Sequence, residues 1–317
     1  MRIVNFGSLN IDHVYSVDKF VKPGETKHVS KVSINCGGKG LNQSVALAKA
    51  GLEVYHAGFI GPDGDFLIDE LEKYNIDTRF VKKCEKKSGS AIIQVDRQGQ
   101  NCILIYKGTN VLFTDQFVDD VLSEFTPEDV VVIQNETNRI EYIIEKAASL
   151  GMSVAFNAAP FTDNIRKYPL ELVKWLFVNE VEGEALTNKK DPYETVTDLK
   201  MRYPDTEIIL TLGEYGCVWA GNDFIKYQPA YVVSVTDTTA AGDTFIGYFI
   251  KSYMDKNKNE EILKISSSAS ALAISKKGAA KAIPTYEEVI MSDIYRNPIE
   301  ISSIKQFDNT INSIMRG

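Results

Sequence analysis

Hydrophobic and polar positions alternate in two patterns along most of the chain, and together they predict strands followed by helices. Short apolar runs rich in β-branched residues are typical of buried strands and occur at 2–6, 54–61, 130–133, 153–156, 175–178 and 208–212. Apolar residues recur at helical spacing in 65–74 and 139–150. Strands that alternate with helices predict an α/β fold with a mostly parallel central sheet.

A second group of strands does not fit this alternation. Alternating patterns occur at 14–17 and 27–34, and the runs 90–95 and 101–106 have the pattern of a hairpin. We expect these segments to form a small discontinuous sheet that covers the site as a lid. The predicted division is a large domain of 1–11, 36–89 and 108–317 and a lid of 12–35 and 90–107. Its exposed edges suggest a homodimer.

The segment 237–245 has the pattern of an anion-binding turn. It follows a β-rich run at 230–235, which we predict as a strand, and it leads into a helix with Phe245 and Phe249 on its apolar face. The small residues Ala240, Ala241 and Gly242 leave the first amides of that helix open to a phosphate. The sequence therefore predicts an anion hole at 240–242.

Asp243 stands at the edge of this turn, where it would repel a bound phosphate. A carboxylate there suits an enzyme that orients a hydroxyl group, so we interpret Asp243 as a general base in phosphoryl transfer. The alternative is that it only complements the helix dipole.

The segment 36–43 is a second glycine-rich turn before a helix. It does not match the phosphate-binding pattern G-x-x-x-x-G-K-[ST], and Gln43 stands where the dinucleotide fingerprint needs its third glycine. Gly37 and Gly38 permit close approach of a ligand rich in hydroxyl groups, to which Lys39 and Asn42 offer donors. The alternative is a turn that only starts the helix.

Polar residues follow the predicted strands at their carboxyl ends. In α/β sheets this edge is where ligands bind, although each such residue can equally cap the next helix. The first strand is followed by Asn10 and Asp12. Later strands are followed by Glu136, Asn157, Asn179 with Glu182, and the segment 211–216.

Composition excludes several functional classes. The 317 residues carry a formal net charge of −8 and no basic stripe, which argues against nucleic-acid binding. The 4 cysteines have no C-x-x-C spacing, so a zinc site is not expected. No signal peptide or membrane-length apolar run is present, and we expect a cytoplasmic protein without a membrane partner.

Taken together, these motifs resemble the ribokinase-like (PfkB) family of sugar and nucleoside kinases over nearly the whole chain. The segments that carry the resemblance are 7–12, 37–42, 179–182, 211–216, 237–245 and 277–279. The resemblance implies a central sheet with helices on both faces, plus a β-sheet lid. It also implies ATP with Mg²⁺ as cofactors, and K⁺ as a further activator.

The resemblance assigns roles to individual positions. Asp243 would activate the primary hydroxyl of the sugar, while the amides of 240–243 hold the transferred phosphoryl group. Sugar binding would fall to Asn10, Asp12, Gly37, Gly38, Lys39, Asn42 and Glu136. ATP binding would fall to Asn179, Thr211, Gly213, Gly216 and Ser267. Metal binding would fall to Glu182 for Mg²⁺ through water, and to Asp237, Thr239 and Gly278 for a monovalent cation.

Three positions depart from the family pattern. Ala282 replaces a serine hydroxyl near the cation site, which weakens the expectation of K⁺ activation, and Ser267 replaces a larger polar group. Ala240 replaces a glycine, and we expect a backbone φ below zero there.

The expected activity is ATP-dependent phosphorylation of a sugar, with D-ribose at its O5 as the leading substrate. The alternatives are a kinase of another sugar, a 2-keto-sugar acid or a nucleoside, and a catalytically silent sugar or nucleotide sensor.

Overall fold

The computed structural model describes residues 1–299, 302 and 303. Its helices are α1 Lys39–Lys49, α2 Asp65–Glu72, α3 Asp115–Leu122, α4 Ile140–Ser149, α5 Glu180–Thr187, α6 Pro192–Arg202, α7 Ala241–Met254, α8 Asn259–Ile274, α9 Tyr286–Met291 and α10 Asp293–Arg296. Its strands are β1 Ile3–Phe6, β2 Asn10–Ser16, β3 Lys31–Gly37, β4 Val54–Ile60, β5 Asp77–Lys83, β6 Gly89–Val95, β7 Asn101–Tyr106, β8 Val130–Gln134, β9 Ser153–Asn157, β10 Trp175–Asn179, β11 Glu207–Thr211, β12 Cys217–Ala220, β13 Ile225–Gln228 and β14 Ser302–Ser303.

The central sheet has the strand order β14-β13-β12-β11-β10-β9-β8-β1-β4-β5. The pairs from β11 to β5 are parallel, and β12, β13 and β14 extend the sheet with antiparallel pairs. The predicted α/β fold with a mostly parallel sheet is confirmed.

Two apolar cores cover the two faces of this sheet, because successive strand residues point to opposite sides. On one face, α1 and α7 contribute Leu41 and Phe249 to a core that includes Ile3 of β1. On the other face, α4 and α6 contribute Ile143 and Val196 to a core that includes Val4. Helices therefore cover both faces, as expected.

The small sheet is also confirmed, with the order β3-β2-β6-β7. β2 pairs in antiparallel fashion with β3 and in parallel with β6, and β6 and β7 form the predicted hairpin. Only residues 7–9 separate β1 from β2, so the central sheet and the small sheet meet beside Asn10. The proposed domain boundaries and the role of the small sheet as a lid stay predictions.

One predicted strand is wrong. Residues 230–235 form an irregular segment, and Val232 is 99% exposed. Their β-propensity has no neighbouring strand to pair with, and an isolated β-prone run gains nothing from being extended. Within the described residues, no helix is both long and apolar enough to cross a membrane.

Candidate active site

The first turn of α7 lies at the carboxyl edge of the central sheet and presents unpaired amides. Ala241 N–H donates to the Thr238 carbonyl at 3.2 Å, so this member of the predicted anion hole is already paired. Among the described residues, the N–H groups of Ala240, Gly242 and Asp243 have no acceptor. A methyl group added at Gly242 would meet no heavy atom within 4 Å, so there is room for a ligand.

The backbone at Ala240 differs from the expectation. Ala240 caps α7 with φ 62° and ψ 13°, in the left-handed region, so the prediction of a φ below zero is wrong. The turn closed by Ala241 must reverse the chain within a few residues before the helix can begin. Tertiary context therefore imposes a conformation that costs an L-residue about 1 kcal/mol or more.

Asp243 is 5% exposed and is held by two side-chain amides of α1. Asn42 Nδ2 donates to its Oδ2 at 3.2 Å, and Gln43 Nε2 donates to its Oδ1 at 2.9 Å. Burial raises the pKa of the Asp243 carboxyl, against the opposing effects of the Lys39 charge and the two amides. A raised pKa brings a carboxylate closer to the working range of a general base.

Lys39 lies at the start of α1 among three carboxylates. Burial lowers the pKa of its ammonium group, and Asp243, Glu136 and Glu182 together outweigh that effect, so its pKa lies above the usual value. The ammonium group therefore stays charged and offsets part of the negative charge gathered at the site.

Glu136 is fixed by one group at the start of α1 and one from the loop between β1 and β2. Its Oε2 accepts a hydrogen bond from the Lys39 backbone N–H at 2.9 Å and another from the Ser8 hydroxyl. The neighbouring Asp12 has its pKa raised to about 7, first by burial and then by the Glu136 charge. These two carboxylates give the site acceptors for hydroxyl groups.

Asn10 is oriented by Asn110. Asn110 Nδ2 donates to Asn10 Oδ1 at 2.7 Å, and Asn110 Oδ1 accepts from the Leu9 backbone N–H at 3.0 Å. The Leu9 amide can only donate, so it fixes the orientation of both side chains. The free end of Asn10 is therefore its NH₂ group, which is a donor.

The glycines of the second turn also permit close contacts within the protein. A methyl group at Gly37 would overlap the Asp12 carboxylate, and one at Gly40 would overlap the backbone at Gly7 and Ser8. Gly38 adopts φ 96°, which only glycine adopts readily. These glycines permit close packing of the protein against itself, and that packing brings Asp12 beside α1.

Two of the predicted nucleotide residues end neighbouring strands, and the others lie in the turn after β11 and on α8. Asn179 at the end of β10 pairs in register with Thr211 at the end of β11. Asn179 and Glu182 form a capping box at the start of α5, so both residues cap the following helix, which is the alternative given above for polar residues at strand ends. Gly213 and Gly216 enclose a short 3₁₀ turn with φ 52° and 104°. Ser267 on α8 lies 3.9 Å from Cys217 Sγ.

The predicted cation residues come from two loops that contact each other. The Asp237 carboxylate accepts hydrogen bonds from the backbone N–H groups of Thr239 and Gly278, each at 3.0 Å. Ala282 is buried and offers no side-chain ligand. Within residues 1–299, no group of three or more His, Cys, Asp and Glu side chains is arranged for a metal ion.

Several polar residues beside the site were not predicted from the sequence. They are Asn5, Ser8, Gln43, Asn110 and Gln134, all buried. A signal did exist for two of them, because Asn5 and Gln134 interrupt strands that are otherwise apolar on the face covered by α1 and α7.

Comparison with known proteins gives a consistent result. The model of the family described as "pfkB family carbohydrate kinase" matches residues 1–286. A ribokinase of Staphylococcus aureus is 33% identical over 300 residues, covering 91% of this chain and 98% of the relative. A deoxyribokinase of Salmonella typhi is 31% identical over 297 residues, covering 91% and 97%. The crystal structure of a ribokinase from Cryptococcus neoformans in complex with ADP has a TM-score of 0.80 at 29% identity, covering 91% and 98%.

The raised pKa of Asp12 predicts a pH-dependent cost in stability. The folded state holds this proton up to about pH 7, so the stability associated with it is present at low pH and lost as the pH rises through 7. Asp12→Asn should therefore raise the melting temperature at pH 8 by roughly 5 °C, or about 2 kcal/mol, and hardly at all at pH 4. The measurement is thermal denaturation without sugar. The exposed Asp223→Asn serves as control, and an equal gain at both pH values would contradict the prediction.

The left-handed backbone at Ala240 predicts opposite effects of one chemical change at adjacent positions. Ala240→Gly should stabilise the fold by about 0.5–1 kcal/mol, after the loss of a buried methyl group is counted. Ala241→Gly, which lies inside α7, should destabilise it by about 0.5 kcal/mol. Urea unfolding would measure the free energy of unfolding of both variants. A loss of stability in Ala240→Gly would contradict the inferred backbone strain at Ala240.

Proposed function

Since this chain belongs to the pfkB family of carbohydrate kinases, we propose that its substrate is D-ribose, which it phosphorylates at O5 to give D-ribose 5-phosphate. The chain is an ATP-dependent sugar kinase. The observation that carries the site assignment is the position of Asp243, which is held by Asn42, faces the charge of Lys39 and stands beside unpaired amides.

In the proposed reaction, the oxygen of the sugar's primary hydroxyl attacks the γ-phosphorus of ATP while Asp243 accepts the proton of that hydroxyl. A bond forms between that oxygen and phosphorus, the bond from phosphorus to the bridging oxygen breaks, and ADP leaves with the electron pair. The free amides of Ala240, Gly242 and Asp243 donate to the phosphoryl oxygens, and the open space at Gly242 admits them.

The sugar side offers both donors and acceptors, as a pentose requires. Asn10 presents an NH₂ group, whereas Asp12 and Glu136 present carboxylate oxygens. Asn42 Oδ1 is buried and has no partner among the described residues, so it can accept from a hydroxyl group. Lys39 is the remaining side chain of the proposed sugar-binding set. Gly37 and Gly38 also belong to this set, and they let Asp12 and Ser8 pack closely against the turn. Ribokinases among the relatives support D-ribose within this chemistry.

The proposed nucleotide side is formed by Asn179, Thr211, Gly213, Gly216 and Ser267. Glu182 fits a role in binding Mg²⁺, because it is a buried carboxylate that faces Lys39 and because this ion needs few protein ligands beside phosphates and water. Mg²⁺ would neutralise phosphate charge. The loops of Asp237, Thr239 and Gly278 would supply oxygens for K⁺, without a hydroxyl from position 282.

The first test is substrate choice. ADP release should be fastest with D-ribose among D-ribose, 2-deoxy-D-ribose, hexoses, a 2-keto-sugar acid and nucleosides. The 2-deoxy sugar is included because a deoxyribokinase is among the relatives.

The second test addresses the base. Asp243→Asn should lower kcat by about 10²–10⁴-fold and leave KM for the sugar nearly unchanged. Turnover of another compound with none of ribose would refute the substrate, and full turnover by Asp243→Asn would refute the base.

We also propose that two copies of the chain associate through the small sheet. One face of this sheet carries exposed apolar side chains that lie together in register, Val32, Ile34, Ile92, Leu104 and Tyr106. The edge strand β7 is exposed along its whole length. A contiguous apolar patch beside an open strand edge is typical of a protein interface.

Light scattering should therefore give the mass of a dimer. Leu104→Lys places a charge in the centre of the apolar face and should produce a monomer. Met201→Lys, at an exposed apolar residue of α6, should leave the dimer intact. A monomeric unsubstituted protein would contradict the interface.

A further inference from the structure

A chain of buried polar side chains runs beneath Asp243, through the core between the central sheet and α1. Its members are all 0% exposed: Asn5, Gln43, Ser44, His56 and Gln134. Asn5, His56 and Gln134 replace apolar residues on the sheet face that α1 and α7 cover, and Gln43 and Ser44 lie opposite them on α1. Burying so many polar groups is costly unless they are hydrogen-bonded. Every side-chain nitrogen and oxygen atom of these five residues has a partner except Gln134 Oε1, which is buried without one among the described residues.

The hydrogen bonds connect the base to the middle of the sheet. Gln43 Nε2 donates to Asp243 Oδ1 at 2.9 Å, and Gln43 Oε1 accepts from Gln134 Nε2 at 2.8 Å. The same Gln134 Nε2 also donates to Asn5 Oδ1 at 2.9 Å. Asn5 Nδ2 donates in turn to the Gly40 carbonyl at 2.8 Å.

The direction of every bond in this chain follows from its last member. The Gly40 carbonyl can only accept, so the NH₂ group of Asn5 must face it and the Asn5 oxygen must face Gln134. Gln134 then has to use both protons of its NH₂ group, one toward Asn5 and one toward Gln43. The oxygen of Gln43 is thereby engaged, and only its NH₂ group can face Asp243.

We propose that Gln43 is a positioning residue for Asp243, and that Gln134 and Asn5 determine which end of the Gln43 amide faces the carboxylate. This inference rests on the proposed function, in which Asp243 is the base. A reversed amide would present a carbonyl oxygen to the carboxylate and favour its protonated form, whereas the NH₂ group favours the ionised form that can accept a proton.

The electrostatic setting makes this orientation matter. Asp243 is buried, and burial alone favours its neutral form. The charged group that faces it is Lys39 of α1, which also faces Glu136 and Glu182 and is therefore shared. The Asn42 and Gln43 amides are the neutral donors that oppose the effect of burial.

The direct test removes the amide and keeps the size of the side chain. Gln43→Met should move the acid limb of the kcat profile upward by about one pH unit, which lowers kcat by up to about tenfold on that limb, with KM for the sugar within twofold. A role limited to packing would lower thermal stability and leave the midpoint of the acid limb in place, and that result would overturn the proposal.

A remote substitution tests the relay of orientation. Glu at position 134 has at most one proton to donate where Gln134 donates two. Between the acceptor oxygens of Asn5 and Gln43 the introduced carboxyl favours its neutral form and adds no charge near Asp243. Because Asn5 is fixed by the Gly40 carbonyl and takes this one proton, we expect Gln43 to turn its NH₂ group toward position 134 and its oxygen toward Asp243. Gln134→Glu should therefore shift the acid limb upward like Gln43→Met, although position 134 does not contact the base.

Ser44→Ala provides the matched control. Ser44 accepts a second hydrogen bond from Asn5 at 2.8 Å and lies 2.8 Å from His56 Nδ1, so its loss should lower thermal stability. The Gly40 carbonyl still orients Asn5, and the pH profile should not move. An equal shift in Ser44→Ala would overturn the relay.

If Gln43→Met does not fold, an unchanged pH profile in Gln134→Glu overturns the proposal. Absence of sugar turnover in the unsubstituted protein would instead refute the proposed function.

Discussion

Under the proposed function, the site depends on keeping one buried carboxylate ionised. Asp243 is almost inaccessible to water, and desolvation of a charged carboxylate costs far more than a single hydrogen bond returns. Two side-chain amides and the shared charge of Lys39 offset part of this cost. These groups are part of the protein and do not reorient as charge moves during a reaction, which is the condition for electrostatic preorganisation.

This requirement shapes the central sheet as well as the loops. Asn5, His56 and Gln134 each follow an apolar residue on the same face of their own strand, and Asn5 and His56 are paired in register. Sequence periodicity marks such positions only as interruptions in a buried run. Each of them has a hydrogen-bond partner on α1, which is distant in the sequence from β1 and β8, so a hydrogen-bonded polar network cannot be told from a defect without the fold.

The sequence was informative where the relevant physics is local. Strand and helix periodicities depend on near neighbours, and the polar residues after β8, β10 and β11 lie where parallel strands place them. It failed where distant contacts decide. The run 230–235 lacks a partner strand, and the turn at Ala240 is forced into the left-handed region. None of these contacts has a local signature.

The contribution of residues from two sheets to one site has a consequence for how the family can diversify. Asn10 and Asp12 lie on the small sheet, while Asn42 and Asp243 lie on helices that cover the central sheet. Under the proposed roles, part of the recognition of the sugar's hydroxyl pattern is encoded in the small sheet, apart from the groups around Asp243, whereas Asn42 serves both. Mutations in the small sheet can then explore new sugars while the costly buried chemistry around the base is inherited unchanged.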